Sequence, residues 1–194
     1  MNGSEPTLLF SSSKEWRKWL EQNHGASSGI WMKISKKGSE TPSASYSEAL
    51  DEALCFGWID GQKKPLDESF WLQRFVPRKP KGNWSKVNIQ HAERLIRNGS
   101  MHPAGLREVE KARADGRWDA AYESQSSATV PDDLQAELDR NPRAAEFFGK
   151  LSSVNRYAIL YRLQTAKRPE TRTGRLAKFV EMLSKGETIH PQKG

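Results

Sequence analysis

Between Gly29 and Lys37 apolar and polar positions alternate, with Ile30, Met32 and Ile34 set against Trp31, Lys33 and Ser35. This is the period of a half-buried strand. Ahead of it, Thr7–Phe10 reads as a short strand. A helix then runs from Ser12 or Ser13 to Gln22, its Trp16, Trp19 and Leu20 on one face. Ser45-Tyr46-Ser47-Glu48 has the form of a capping box and opens a helix that buries Ala49, Leu50, Ala53 and Leu54. Gly57 stands where a left-handed residue would end that helix. Trp58–Lys64 and Ser69–Pro77 then predict a hairpin around Pro65–Glu68.

From Ser85 the period lengthens to that of helices. They are predicted over Lys86–Asn98, Pro103–Asp115, Pro131–Arg140, Pro142–Lys150, Ser153–Thr165 and Pro169–Lys185. Proline opens several of them, where a missing N–H costs nothing, and Gly99, Gly116 and Gly186 stand just past three ends. The fold class is α+β: a small, mainly antiparallel sheet in the N-terminal half packed with helices, and a helical C-terminal half. Residues 7–186 read as a single domain, with flexible ends at 1–6 and 187–194.

Composition narrows the function. The 194 residues carry a formal net charge of +7. From Trp58 to Asn98 nine Lys/Arg face four Asp/Glu, from Lys150 to Gly186 nine face two, and between these, from Asp115 to Gly149, eight acids face three bases. Two basic segments bracketing an acidic one predict a positive face or cleft. No apolar run reaches the ~18 residues of a membrane span. The single cysteine and the polar N-terminus point to the reducing cytoplasm. The four histidines lack metal-ligand spacing, and no dinucleotide, phosphate-loop or nucleophile-elbow motif is present, so neither metal nor cofactor is expected. Cys55, at a helix C-terminus where the dipole opposes a thiolate, reads as a buried structural thiol. No catalytic residue can be assigned.

Candidate binding residues come from three places. In CFGWIDGQ (Cys55–Gln62), strand parity puts Trp58, Asp60 and Gln62 on one face. A carboxylate beside an indole needs a partner, for which Arg74 on the next strand is available. The same Asp-Gly pair also suits an ordinary turn. In VPRKPKGNWSKVN (Val76–Asn88), Arg78, Lys79, Lys81 and Lys86 flank Trp84, and Ser85 is placed to cap the following helix. Basic side chains and backbone N–H groups there suit an anion. Asn88 and Arg172 fall at the N-terminal ends of inward helix faces, with Arg175 one turn on.

CFGWIDG, FVPRKP, NWSKVN, G-x-M-x-P-A-G (Gly99–Gly105), ADGRW (Ala114–Trp118) and AKRPETR (Ala166–Arg172) together resemble the YdeI/OmpD-associated family, also labelled bacteriocin-protection-like. The resemblance spans about Thr7 to Gly186. It implies a small soluble protein associated with stress protection, and it implies no reaction. Three readings follow. The first is a protein that binds a small anion, phosphate or carboxylate, between sheet and helices, with Trp58 and Trp84 as walls, Asp60 orienting, and Arg74, Arg78, Arg172 and Arg175 holding charge. The second is a nucleic-acid binder without sequence preference, and the third an interaction module for an acidic protein partner.

Overall fold

The structure, a computed structural model, describes residues 5–192. Of the ends expected to be flexible, Met1–Ser4 and Lys193–Gly194 lie outside the described residues. The chain divides into two compact units. The first comprises the residues up to Trp84 together with Asn88–Asp119, and the second comprises Ser85–Val87 and the residues from Ala120 onward.

The first unit is a four-stranded sheet with helices. Strands β1 (Thr7–Leu9), β2 (Ile30–Ser35), β3 (Trp58–Pro65) and β4 (Phe70–Pro77) lie in the order β1-β2-β4-β3. β1 is parallel to β2 across helix α1 (Ser13–Asn23), and the other pairs are antiparallel. The local signals act as read. Ser12 caps α1, and Ser45 and Glu48 close a reciprocal box on α2 (Tyr46–Cys55). Gly57 turns the chain out of α2 at φ +75°. The alternation in β2 buries Ile30, Met32 and Ile34, and Trp16 and Leu20 of α1 and Ala49, Leu50, Ala53 and Leu54 of α2 are buried as well. Trp16 is fully buried, stacks on Trp19 at 5.3 Å, and donates its indole N–H to Ala49 O at 3.0 Å, which ties α1 to α2.

Helix α3 (Lys86–Arg97), from Asn88 onward, and helix α4 (Pro103–Ala114) complete this unit. The N-terminus of α4 abuts the C-terminus of α2: His102 N–H donates to Cys55 O at 3.2 Å. A Cβ on Gly105 would lie 2.3 Å from that same oxygen, so only glycine fits. The positive end of one helix thus meets the negative end of another. Two of the motifs that looked functional, CFGWIDG and G-x-M-x-P-A-G, meet at this contact. Cys55 is buried there, and its thiol is pushed up to about 11, first by burial and then by Glu52.

The second unit is helical: α5 (Asp132–Arg140), α6 (Pro142–Lys150), α7 (Ser153–Gln164) and α8 (Pro169–Ser184). Its core joins Leu134, Leu138, Phe148, Ile159, Leu163, Phe179 and Leu183. The segment after α8 folds back: His190 N–H donates to Asn155 Oδ1 at 2.8 Å, and Asn155 Nδ2 donates to His190 O at 3.1 Å. Among the described residues no helix is long and apolar enough to cross a membrane.

Candidate anion-binding cleft

In the first unit the chain leaves β4 at Pro77 and makes a tight turn in which Gly82 N–H donates to Lys79 O at 2.9 Å. Lys81 adopts φ +89°, the one non-glycine residue with positive φ among the described residues. Two anchors hold this loop. Arg78 N–H donates to Gly57 O at 3.0 Å, and Arg117 Nη1 donates to Gly82 O at 3.0 Å. The loop and α4 enclose an open cleft of about 380 Å³ whose charged lining is Arg78, Lys81, Lys111 and Arg117 against Glu108 and Asp115. Four cations face two carboxylates.

The Arg78 guanidinium carbon lies 3.5 Å from the centre of the Trp84 ring. The indole is 2% exposed and packs against Trp118 at 5.0 Å, over which Arg113 is placed at 4.9 Å. Stacking fixes the guanidinium plane, and its Nε and Nη2 are buried against the protein. Arg117 is held by Asp115, both carboxylate oxygens lying 2.8 Å from its Nε, and Lys111 Nζ lies 2.7 Å from Glu108. The Trp84 indole N–H is buried with no hydrogen-bond partner among the described residues.

The residues singled out from sequence fall in several places. Arg78 and Trp84 are brought together, as described. Trp58 is a core residue, edge-on to Trp16 and Trp19, its indole N–H donating to His24 O at 3.1 Å. Asp60 shares the inner face of the sheet with Trp58, and its partner is the Tyr46 hydroxyl, which donates to Oδ2 at 2.9 Å. Burial and the adjacent Asp60 carboxylate raise the Tyr46 phenol well above its ordinary range, so it stays a donor. Arg74 is not that partner. It pairs across the strands with Trp31 while Asp60 pairs with Phe75, so the sheet separates the two, and Arg74 forks onto Glu5. The Glu5 carboxyl is held below its usual range by those bonds.

Gln62 also departs from the parity reading. The register shifts between Asp60 and Lys63, a bulge of one residue, so that Lys63 takes the inner face instead. The buried amide of Gln73 fills the irregularity, donating to Gly61 O at 3.0 Å and Gln62 O at 3.3 Å. Asn88 lies in the first turn of α3. Ser85 belongs to the second unit and bridges Tyr122, whose carbonyl accepts the Lys86 N–H at 2.9 Å. One donor at the start of α3 is therefore taken by backbone.

Arg172 and Arg175 also belong to the second unit. Arg172 forks onto Asp133 at 2.7 and 2.8 Å and donates to Leu163 O, joining α5, α7 and α8. Arg175 donates to Arg162 O. Sequence reasoning misses Tyr46, which the pattern shows only as a capping-box position, and Lys111 and Arg117, which approach the loop from more than twenty residues away. The ADGRW motif is the available signal for Arg117.

The first unit is thus an α+β unit carrying a basic, tryptophan-backed cleft. The chain belongs to the family described as Domain of unknown function (DUF8412), which matches residues 8–108. Residues 127–186 match the family described as Bacteriocin-protection, YdeI or OmpD-Associated, so the likeness to that family is shown and is carried by the second unit. No curated protein and no solved structure matches the chain.

Proposed function

We propose that this protein binds a small oxyanion, a phosphate or carboxylate, in the cleft between the Arg78–Gly82 loop and α4. The observation that carries the reading is the Arg78 guanidinium laid flat on buried Trp84, beside Lys81, Lys111 and Arg117 in one concavity. A guanidinium held flat on an indole keeps its charge fixed beside the cleft, and the exposed ammonium groups of Lys81 and Lys111 are the donors an oxyanion can reach. The excess of cations over carboxylates supplies attraction beyond the internal ion pairs. Trp84 lies between Arg78 and Trp118, so it serves the arginine as a platform rather than offering a face to a nucleobase. This favours a small ligand over a nucleic-acid strand.

The test is thermal denaturation in phosphate against chloride at matched ionic strength, in wild type and in the pair Lys81→Asn, Lys111→Gln. Asparagine tolerates positive φ, and Lys111 is an exposed side chain, so the variant keeps its fold. Phosphate is expected to raise the wild-type melting temperature more than chloride does, by mass action on the folded state, and the increment is expected to vanish in the variant. Equal effects of the two salts, or an unchanged increment in the variant, would sink the reading.

A further inference from the structure

A second concavity lies at the far end of the β3–β4 hairpin in the first unit. It is an open cleft of about 370 Å³ lined by Lys36, Lys63, Lys64, Pro65 and Trp71, with no carboxylate in its lining among the described residues. The bulge in β3 creates it. Without the shift between Asp60 and Lys63, parity would place Gln62 on the inner face; with it, Lys63 pairs with Gln73 and Pro65 with Trp71 on that face. The Tyr46 ring stands 6.1 Å from Trp71, and its hydroxyl donates to Asp60.

The cations around this cleft are not equivalent. Lys64 reaches the opposite face, where its ammonium lies 4.0 Å from the centre of the Trp31 ring. Lys36 is anchored by one of its three donors to Asp67 O at 2.6 Å, which fixes it and leaves two for a ligand. Lys63 is exposed and makes no ion pair among the described residues. An indole and a proline ring paired across the strands give a flat apolar floor, with positive charge at its rim.

We infer that this cleft binds a planar organic anion: a ring lying on Trp71 and Pro65, carrying a phosphate or carboxylate held by Lys63 and Lys36. Its volume matches the lower end of small-ligand pockets. Neither half of such a ligand suffices, since a bare anion meets only rim lysines and a neutral ring forgoes the charge.

The experiment is calorimetric titration of the full chain with adenosine 5′-monophosphate and 2-naphthoate, with adenosine and inorganic phosphate as the separated halves. Wild type is expected to bind at least one of the two ring anions more tightly than adenosine or phosphate, and which one distinguishes a phosphate from a carboxylate ligand. Lys63→Glu is expected to weaken that binding by about tenfold, the weight of one charge-assisted contact. Because Trp71→Ala could unfold the hairpin, Trp71→Phe is the companion variant, expected to retain binding with reduced affinity. The preference for the ring anion is expected to persist in the Lys81→Asn, Lys111→Gln background, where phosphate binding at the Arg78 cleft is removed. Binding that is insensitive to Lys63→Glu, a preference lost in that background, binding matched there by either half-ligand, or binding absent for both ring anions would overturn the inference.

Discussion

The guanidinium of Arg78 and the indole of Trp84 lie face to face at 3.5 Å, the indole buried and the arginine at the lip of a cleft. This pair links the sequence to the proposed chemistry. Pro77 ends the strand, the Lys79–Gly82 turn brings the chain back, and Trp84 returns beneath the arginine six residues after it. A desolvated cation–π contact of this kind is worth about 2 kcal/mol. Arg78→Met, which keeps the length and loses the charge, is therefore expected to lower stability by about that amount and to abolish the phosphate-dependent rise in melting temperature. Chemical denaturation and thermal shift measure the two effects separately. A stable variant that keeps the phosphate effect would exclude Arg78 from the site.

Helix α4 meets α2 without room for a side chain at Gly105. Gly105→Ala puts a methyl carbon 2.3 Å from Cys55 O, a clash with backbone that no rotamer relieves, and should cost about 3 kcal/mol. Gly174, inside α8, has nothing within 4 Å of where a Cβ would stand, and it gives the opposite expectation: alanine there should stabilise by about 0.5–1 kcal/mol. Urea midpoints of the two variants should move in opposite directions. Movement in the same direction would contradict the packing described.

Much of this architecture is legible in the sequence because its signals are local. The Ser45–Glu48 box, the alternation of Ile30, Met32 and Ile34, and Gly57 at the helix end each act within a few residues, and each stands where the pattern places it. The bulge after Asp60 is set by the fit of Gln73 to two carbonyls on another strand, a relation that period-two counting cannot contain. It brings Lys63 rather than Gln62 to the inner face. For the same reason the pattern matches Asp60 to Arg74, its neighbour along the strands, when the actual partner, Tyr46, lies on a helix. Within the cleft Arg78 and Trp84 are readable as a dense basic-aromatic run. Lys111 and Arg117 are not, because tertiary folding alone brings α4 and its following turn to that loop.

The Tyr46–Asp60 bond spans helix and sheet. Removing either partner should cost about 1 kcal/mol, and removing both, as Tyr46→Phe with Asp60→Asn, should cost less than the sum. A double-mutant cycle in urea gives the coupling directly. Strict additivity would show that the two side chains do not interact in solution.

His102 supplies a pH dependence. Its Nδ1 accepts the Ala104 N–H at 3.2 Å as the cap of α4, and its ring stacks on Phe56 at 4.6 Å. Burial, then His24, Arg17 and Arg107 nearby, lowers its pKa, with Glu21 opposing. Because the folded-state pKa is depressed, the unfolded chain binds the proton more readily. Stability is full above the ordinary histidine pKa of about 6.5, falls as pH drops through it, and levels off below the folded value. The carboxylates held low by their partners, such as Glu5 and Asp133, lose their contribution only further into acid, so the window between pH 5 and about 6.5 reports on His102. His102→Asn keeps a capping side chain that does not titrate, and it is expected to flatten the stability profile in that window. A profile as steep as that of wild type would assign the effect to another group.

The most direct measurement follows the indole N–H resonances of Trp84 and Trp118, assigned with Trp84→Phe and Trp118→Phe, while phosphate is titrated into the protein. Trp84 lies under Arg78 and its N–H has no partner among the described residues, so its chemical shift is sensitive to occupation of the cleft. Both resonances are expected to move along saturating curves with one dissociation constant, to stay nearly still in chloride at the same ionic strength, and to stop responding to phosphate in the Lys81→Asn, Lys111→Gln variant. Resonances that ignore phosphate, or that drift equally and without saturation in both salts, would contradict an anion site at Arg78.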